Sequence, residues 1–182
     1  MPGDCMPATI NLSENNLIAA LGDYLKAVLG DSTMVIRSQG NRVSLPTGDF
    51  VLMTPINLPA KSMGVVSYTD DEIDQARHDT RTLDWRVQLD FYGDIAQSWA
   101  ATVATLFRTE YSADLFEGTG LAPLYAEDPM QSTIVQSEDQ WNNRWILDVH
   151  LQPRIIITTP QQFADQLNID VAETNARFPP GA

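Results

Sequence analysis

The stretch LDWRVQLDFYGDIAQSWAATVATLFR, Leu83 to Arg108, changes period in its middle. Leu83, Trp85, Val87, Leu89 and Phe91 alternate with Asp84, Arg86, Gln88 and Asp90. Side chains leave a strand on opposite faces in turn, so this run predicts a strand with one buried face. Beyond Tyr92-Gly93-Asp94, apolar Ile95, Trp99, Val103, Leu106 and Phe107 recur at helical spacing. Ala96, Ala100, Ala101 and Ala104 add helix propensity and permit close packing. Asp94 stands where an N-cap belongs, and Gln97 three residues later would complete a capping box. A strand, a tight turn and an amphipathic helix in direct succession must share one core, and this constrains the remaining elements.

Residues 1–11 read as an extended, mobile arm. Residues 11–30 predict a first helix, with Ser13 as N-cap, Leu17, Leu21, Tyr24, Leu25 and Val28 on one stripe, and Gly30 as the stop. Short strands are expected at 33–39, from Phe50 to Pro55, and at 62–68; Pro55 and Pro59 place the second at an edge or end it early. Residues 69–82, TDDEIDQARHDTRT, form the most polar stretch and read as a long exposed hairpin tip. They lack the D-x-[DN]-x-[DN]-G spacing of a calcium loop. Residues 110–135 read as a connection punctuated by Gly118, Gly120, Pro123 and Pro129, with a short helix near Ser112–Phe116. A short strand at 132–136 and a long one at 140–159 follow. Pro160 then opens a short helix, PQQFADQL, ahead of a final strand, NIDVAE, and a tail. The order predicts an α+β fold: a mostly antiparallel β-sheet with the N-terminal helix and the central amphipathic helix packed on one face. The expected division is an arm at 1–11, one domain at 12–172 with a hairpin protruding at about 68–82, and a tail at 173–182.

With 182 residues, one domain is the default and the core can be substantial. No apolar run reaches membrane-spanning length, and the first ten residues carry neither a basic nor an apolar signal region, so neither a membrane span nor a secretory signal is expected. Cys5 is the only cysteine, which excludes an internal disulfide and fits a reducing compartment. The net charge of −13, with 11 Lys and Arg residues in no block, disfavours binding to DNA or to anionic membrane.

The Tyr92-Gly93-Asp94 turn is the obvious place to seek a phosphate site, yet it has one glycine, no lysine, and a carboxylate at the helix start. It reads as a structural turn. His78 lies in the acidic stretch; His150 shares a strand face with Asp148, an arrangement that is half a catalytic triad without a G-x-S-x-G elbow. No H-E-x-x-H or C-x-x-C is present, so no metal, cofactor or catalytic residue is assigned. Trp85, Trp99 and Trp145 take core registers. Trp141, with Arg144, is a candidate for a subunit interface, where these residue types are enriched.

Three segments resemble the neck or tail terminator family of tailed bacteriophages: VQLDFYGDIAQSWAATVATLFR, LAPLYAEDPMQSTIVQSEDQWNNRWILDVHLQ and PQQFADQLNIDV. Gln88, Asp90, Tyr92 and Gly93 carry the likeness, with Pro123-Leu124-Tyr125, Gln140, Arg144-Trp145 and Gln152. It spans about residues 12 to 172. The resemblance implies a non-enzymatic virion protein of the tail or neck, assembled in the host bacterial cytoplasm. It implies a homo-oligomeric ring, six-fold in the family, at the head-proximal end of the tail, also called a gateway. Such a ring stops tube polymerisation and joins tail to neck. The implied partners are further copies of itself, the tail tube protein, a neck, collar or connector protein and, in contractile tails, the sheath; DNA passes through without specific binding. On this reading Asp70, Asp71, Glu72 and Asp74 line the lumen, touch an adjacent ring, or are simply solvated. The competing readings are a connector or completion protein of the neck, a ligand-binding module unrelated to phages, and an enzyme using Asp148 and His150.

Overall fold

The computed structural model describes residues 7–38, 46–71, 75–132, 134–137 and 140–161, with the backbone alone at 134–137 and 140–142. The elements in chain order are β1 (Thr9–Ile10), α1 (Glu14–Leu29), β2 (Met34–Arg37), β3 (Phe50–Asn57), β4 (Val65–Asp70), β5 (Gln75–Thr82) and β6 (Trp85–Tyr92). After these come α2 (Ala96–Leu106), α3 (Glu110–Leu115), β7 (Leu121–Ala126), β8 (Met130–Gln131), β9 (Ile134–Ser137), β10 (Gln140–Asn142) and β11 (Arg144–Pro160). The fold is α+β, as expected, with antiparallel pairing throughout except between β2 and β3.

The start of α1 follows from its sequence. Ser13 Oγ accepts the Asn16 N–H and Asn16 Oδ1 accepts the Ser13 N–H, a reciprocal cap, and Gly30 ends the helix at a φ of 113°. The main sheet is organised around β11. One edge of β11 pairs with β6 along its first half and with β5 along its second, in a single unbroken register from Arg144↔Tyr92 to Pro160↔Ala76. β5 and β6 are therefore two halves of one long strand, joined through Leu83 and Asp84. β7, β8 and β1 take the other edge of β11. The main path runs β2-β3-β6-β11-β5-β4.

Only half of this ribbon carries a core. Trp85, Val87, Leu89 and Phe91 of β6, and Leu147, Val149 and Leu151 of β11, pack with Leu17, Leu21 and Leu25 of α1 and with Ala100 and Val103 of α2. Tyr24 stacks on Phe116 at 4.7 Å, meets Phe107 edge-on at 5.7 Å, and shares a 2.8 Å hydrogen bond with Ser112 Oγ. Burial pushes the Tyr24 hydroxyl pKa up. Beyond Leu151 the same sheet face continues, with no helix among the described residues packed on it. There Ile10, Val66, Tyr68 and Ile157 are between 41% and 57% exposed.

Several local expectations change. The stripe of α2 that enters the core is Ala96, Ala100, Val103 and Phe107, whereas Ile95 is exposed and Trp99 half-buried. Small side chains let the helix axis approach the sheet, and this selects the alanine face over the bulkier one. β3 does not end at Pro55 but continues on β6 to Asn57; β2 covers its outer side only as far as Met53, so around Pro55 the strand lies at the sheet edge, as expected. Its proline is tolerated because β2 ends opposite Met53, before Pro55 is reached. The region read as a connection contains β7 and β8 on β11. The polar stretch is strand from Gln75 onward, paired on both sides. The long strand expected at 140–159 is split at Asn143 into β10 and β11, and Pro160 closes β11 rather than opening a helix. Thr9 and Ile10 of the N-terminal arm pair with Thr158 and Ile157. The remainder of the expected helix, NIDVAE, the 173–182 tail and residues 1–6 lie outside the described residues.

Candidate functional site

Two polar clusters and one projecting element distinguish this molecule from plain scaffold. The first cluster surrounds the turn from β6 into α2. Gly93 has a φ of 104°, and a Cβ there would lie 1.8 Å from Asp49 Oδ1. Glycine is required both for the dihedral and for the space. Asp49 Oδ1 accepts the Asp94 N–H at 2.9 Å, while α2 has Ile95 as N-cap and no side-chain cap. The capping carboxylate thus comes from the turn before β3, and the expected Asp94–Gln97 box does not form.

Beside this turn, Asp90 is 2% exposed. Its Oδ1 accepts Arg144 Nε at 3.1 Å, Arg144 Nη2 at 2.8 Å and Gln88 Nε2 at 2.9 Å. The Arg144 guanidinium also lies 5.8 Å from the ring centroid of Tyr92, which stacks on Phe50 at 4.5 Å. Burial raises the Tyr92 pKa, with Arg144 opposing the shift. Gln88, Asp90, Tyr92 and Gly93, neighbours in one segment, therefore meet Arg144, 54 positions beyond Asp90, at one end of the ribbon. Trp141 lies on β10, and its side chain is outside the described residues.

The second cluster sits at the joint between the core half and the free half of the ribbon. His150 is buried, and its Nδ1 lies 2.9 Å from Asp84 Oδ1. The histidine's partner is thus Asp84, across the register, and not Asp148 on its own strand. Asp148 Oδ2 accepts Arg86 Nε at 3.0 Å. Lys61 Nζ bonds Asp84 Oδ2 at 2.8 Å, Glu127 Oε1 lies 3.5 Å from His150 Nε2, and Tyr125 stacks on the imidazole at 4.2 Å. Burial pushes the Asp84 carboxyl pKa up, but the hydrogen bonds from Lys61 and His150 outweigh it and hold the pKa below its ordinary value. Sequence reading missed Asp84, Lys61 and Glu127. The alternation put Asp84 on the polar face shared with His150, but only the register places them side by side. The cluster ties the β3–β4 connection, the β5–β6 joint, β7 and β11 together. Among the described residues, no group of three His, Cys, Asp or Glu side chains is arranged to hold a metal.

The projecting element is the ribbon of β4, β5 and the second half of β11. Its interior is a polar ladder, with Thr69 Oγ1 2.8 Å from His78 Nε2 and His78 Nδ1 2.9 Å from Thr158 Oγ1. Asp70 and Asp71 are exposed at the end of β4, whereas Glu72 and Asp74 lie outside the described residues. Where the ribbon leaves the core, Ile10, Leu12, Ile56, Leu58, Trp85 and Ile155 line an apolar hollow of about 350 Å³.

The sequence matches the family described as phage neck terminator protein over residues 15–176. The chain belongs to the phage neck terminator family. No curated protein matches it. The match covers both polar clusters and the whole projecting ribbon of this neck terminator. The family is one of structural proteins of the phage neck and tail, which makes the protein a virion component that contacts other neck and tail proteins. Among the described residues, no helix of the neck terminator is long and apolar enough to cross a membrane.

Proposed function

We propose that this neck terminator assembles as a ring, six-fold on the family expectation, at the head-proximal end of the tail. There it caps the last ring of the tube, stops polymerisation and joins the tail to the neck around a channel for DNA. The observation that carries this reading is the ribbon that outruns its core. Isolated ribbons of few strands are marginal in water, so a free half with exposed Ile10, Val66 and Ile157 gains stability when it packs on a neighbour. A ring supplies that neighbour through a heterologous interface that closes by rotation. In this assembly Asp70, Asp71, Glu72 and Asp74 face the lumen or the adjacent ring, and Trp141 with Arg144 borders the next subunit. The tube protein and a neck or connector protein are the axial partners, with the sheath added in a contractile tail. A net charge of −13 suits a conduit that DNA crosses without binding.

The test is an early amber stop in this reading frame, followed by electron microscopy of lysate from a non-suppressing host. Filled heads beside unattached, overlong tubes are expected. Unattached tails of normal length would reduce the role to joining alone, and normal infectious particles would overturn the reading.

A further inference from the structure

The apolar hollow at the base of the ribbon has a floor and an open rim. Leu17 and Trp85 are its buried floor, while Ile10, Ile56 and Leu58 stand at the rim, each between 42% and 57% exposed. From Ile10 the exposed apolar face continues across the ribbon, with Ile10 beside Ile157 and Val66 two strands further on in the same row. Exposed aliphatic side chains gathered around a concave site mark a protein contact. The chain itself holds a segment of matching character. β11 stays paired to its end, with Pro160 opposite Ala76, and the Gln161 N–H donates to Gln75 O at 3.1 Å, so the chain leaves from the ribbon tip. The sequence that follows, residues 162–172, is QFADQLNIDVA, in which Phe163, Leu167 and Val171 recur every four residues and so fall on one helical stripe. Reach decides whose hollow this stripe can fill. Ile155, at the hollow, stands six residues before Gln161 on an unbroken strand, roughly 20 Å away at strand rise. Two residues carry Phe163 at most about 7 Å from Gln161, so Phe163 cannot return to the hollow of its own chain. Leu167 would reach that hollow only with the intervening chain fully extended, which abolishes the helical stripe.

We propose that residues 162–172 are a strap between subunits: the segment leaving one copy's ribbon tip lies in the hollow at the base of the next copy's ribbon, with Phe163 and Leu167 seated among Ile10, Ile56 and Leu58. The occupant is a second copy because the chain carries both the apolar stripe and the hollow, and its own geometry keeps the two apart. The contact joins two different surfaces of the same chain, which is the heterologous kind that a ring closes by rotation. The inference rests on the ring reading above.

The experiment uses the full-length chain carrying Cys5→Ser, Leu58→Cys and Phe163→Cys, supplied from a plasmid to the amber phage. Particles are purified, oxidised and run on a non-reducing gel. The strap predicts a ladder of cross-linked multimers, while either single-cysteine chain goes no further than a dimer. Particles that contain the chain but give no ladder overturn the strap and leave the ring reading standing. If particles made with the unsubstituted chain lack it, the ring reading fails and the strap with it. If the double-cysteine chain does not complement, the pair Leu58→Asp with Phe163→Lys decides. Each single change should lower the titre at least tenfold and the pair restore it, and a pair no better than the singles overturns the proposal.

Discussion

Asp84 shows how much one side chain can hold together. It is 2% exposed, yet it bonds both Lys61 and His150, and its backbone N–H donates to Pro59 O at 3.0 Å. Because its folded pKa lies below the ordinary 3.8, the carboxylate stabilises the fold fully above about pH 4. That contribution is lost as pH falls through the lower folded value. Asp84→Asn should therefore destabilise the protein by about 1–3 kcal/mol at pH 7, and urea melts should show the gap closing below pH 3.8. A gap independent of pH would mean that the carboxylate's charge is not what stabilises the joint. This residue was hidden from sequence reading for a definite reason. His150 and Asp148 are two apart on one strand, so local spacing suggested them as a pair; Asp84 is 66 positions from His150 and becomes its neighbour only through the β6–β11 register. Asp49, 45 positions from the N–H it caps, was hidden in the same way. Ser13 lies within one turn of the Asn16 N–H it caps, and its capping role was legible at once, although the reciprocal role of Asn16 was not.

At the level of elements, legibility followed burial. β6 alternates because one of its faces meets a helix-covered core, and its strand assignment could be read directly. β5 is polar on both faces, so nothing in residues 75–82 distinguishes a strand from a loop until pairing on both sides is known. β7 contains Pro123 and only two buried residues, Leu121 and Ala126, and reads as a connection. In α2 the periodicity was correct and Val103 and Phe107 face inward as expected, but Ala96 and Ala100 replace Ile95 and Trp99 at the centre of the inward face, since packing distance decided between large and small residues. Ala100 is fully buried in the cluster that contains Leu89 and Leu147. Ala100→Leu should consequently overpack that contact and cost about 1–3 kcal/mol, read as a fall in thermal midpoint. An unchanged midpoint would mean that α2 sits further from the sheet than described.

For the whole molecule, a net charge of −13 disfavours contact with the phosphate backbone of nucleic acid. The purified chain should give no gel shift with duplex DNA at up to about 10 µM protein, even in low salt where non-specific binders are strongest. Retention at that concentration would argue against a passive conduit. The ribbon's register also sets when this subunit can exist at all. Asp90 and Arg144 are 54 positions apart, and Arg77 and Thr159 are 82 apart. Contacts of such long sequence separation form late and slowly, in the millisecond-to-second range of sheet-rich domains. A nascent chain on the ribosome has neither a finished core nor a projecting ribbon until its last quarter emerges. The surfaces built on β11 are therefore complete only once the chain has folded around that strand.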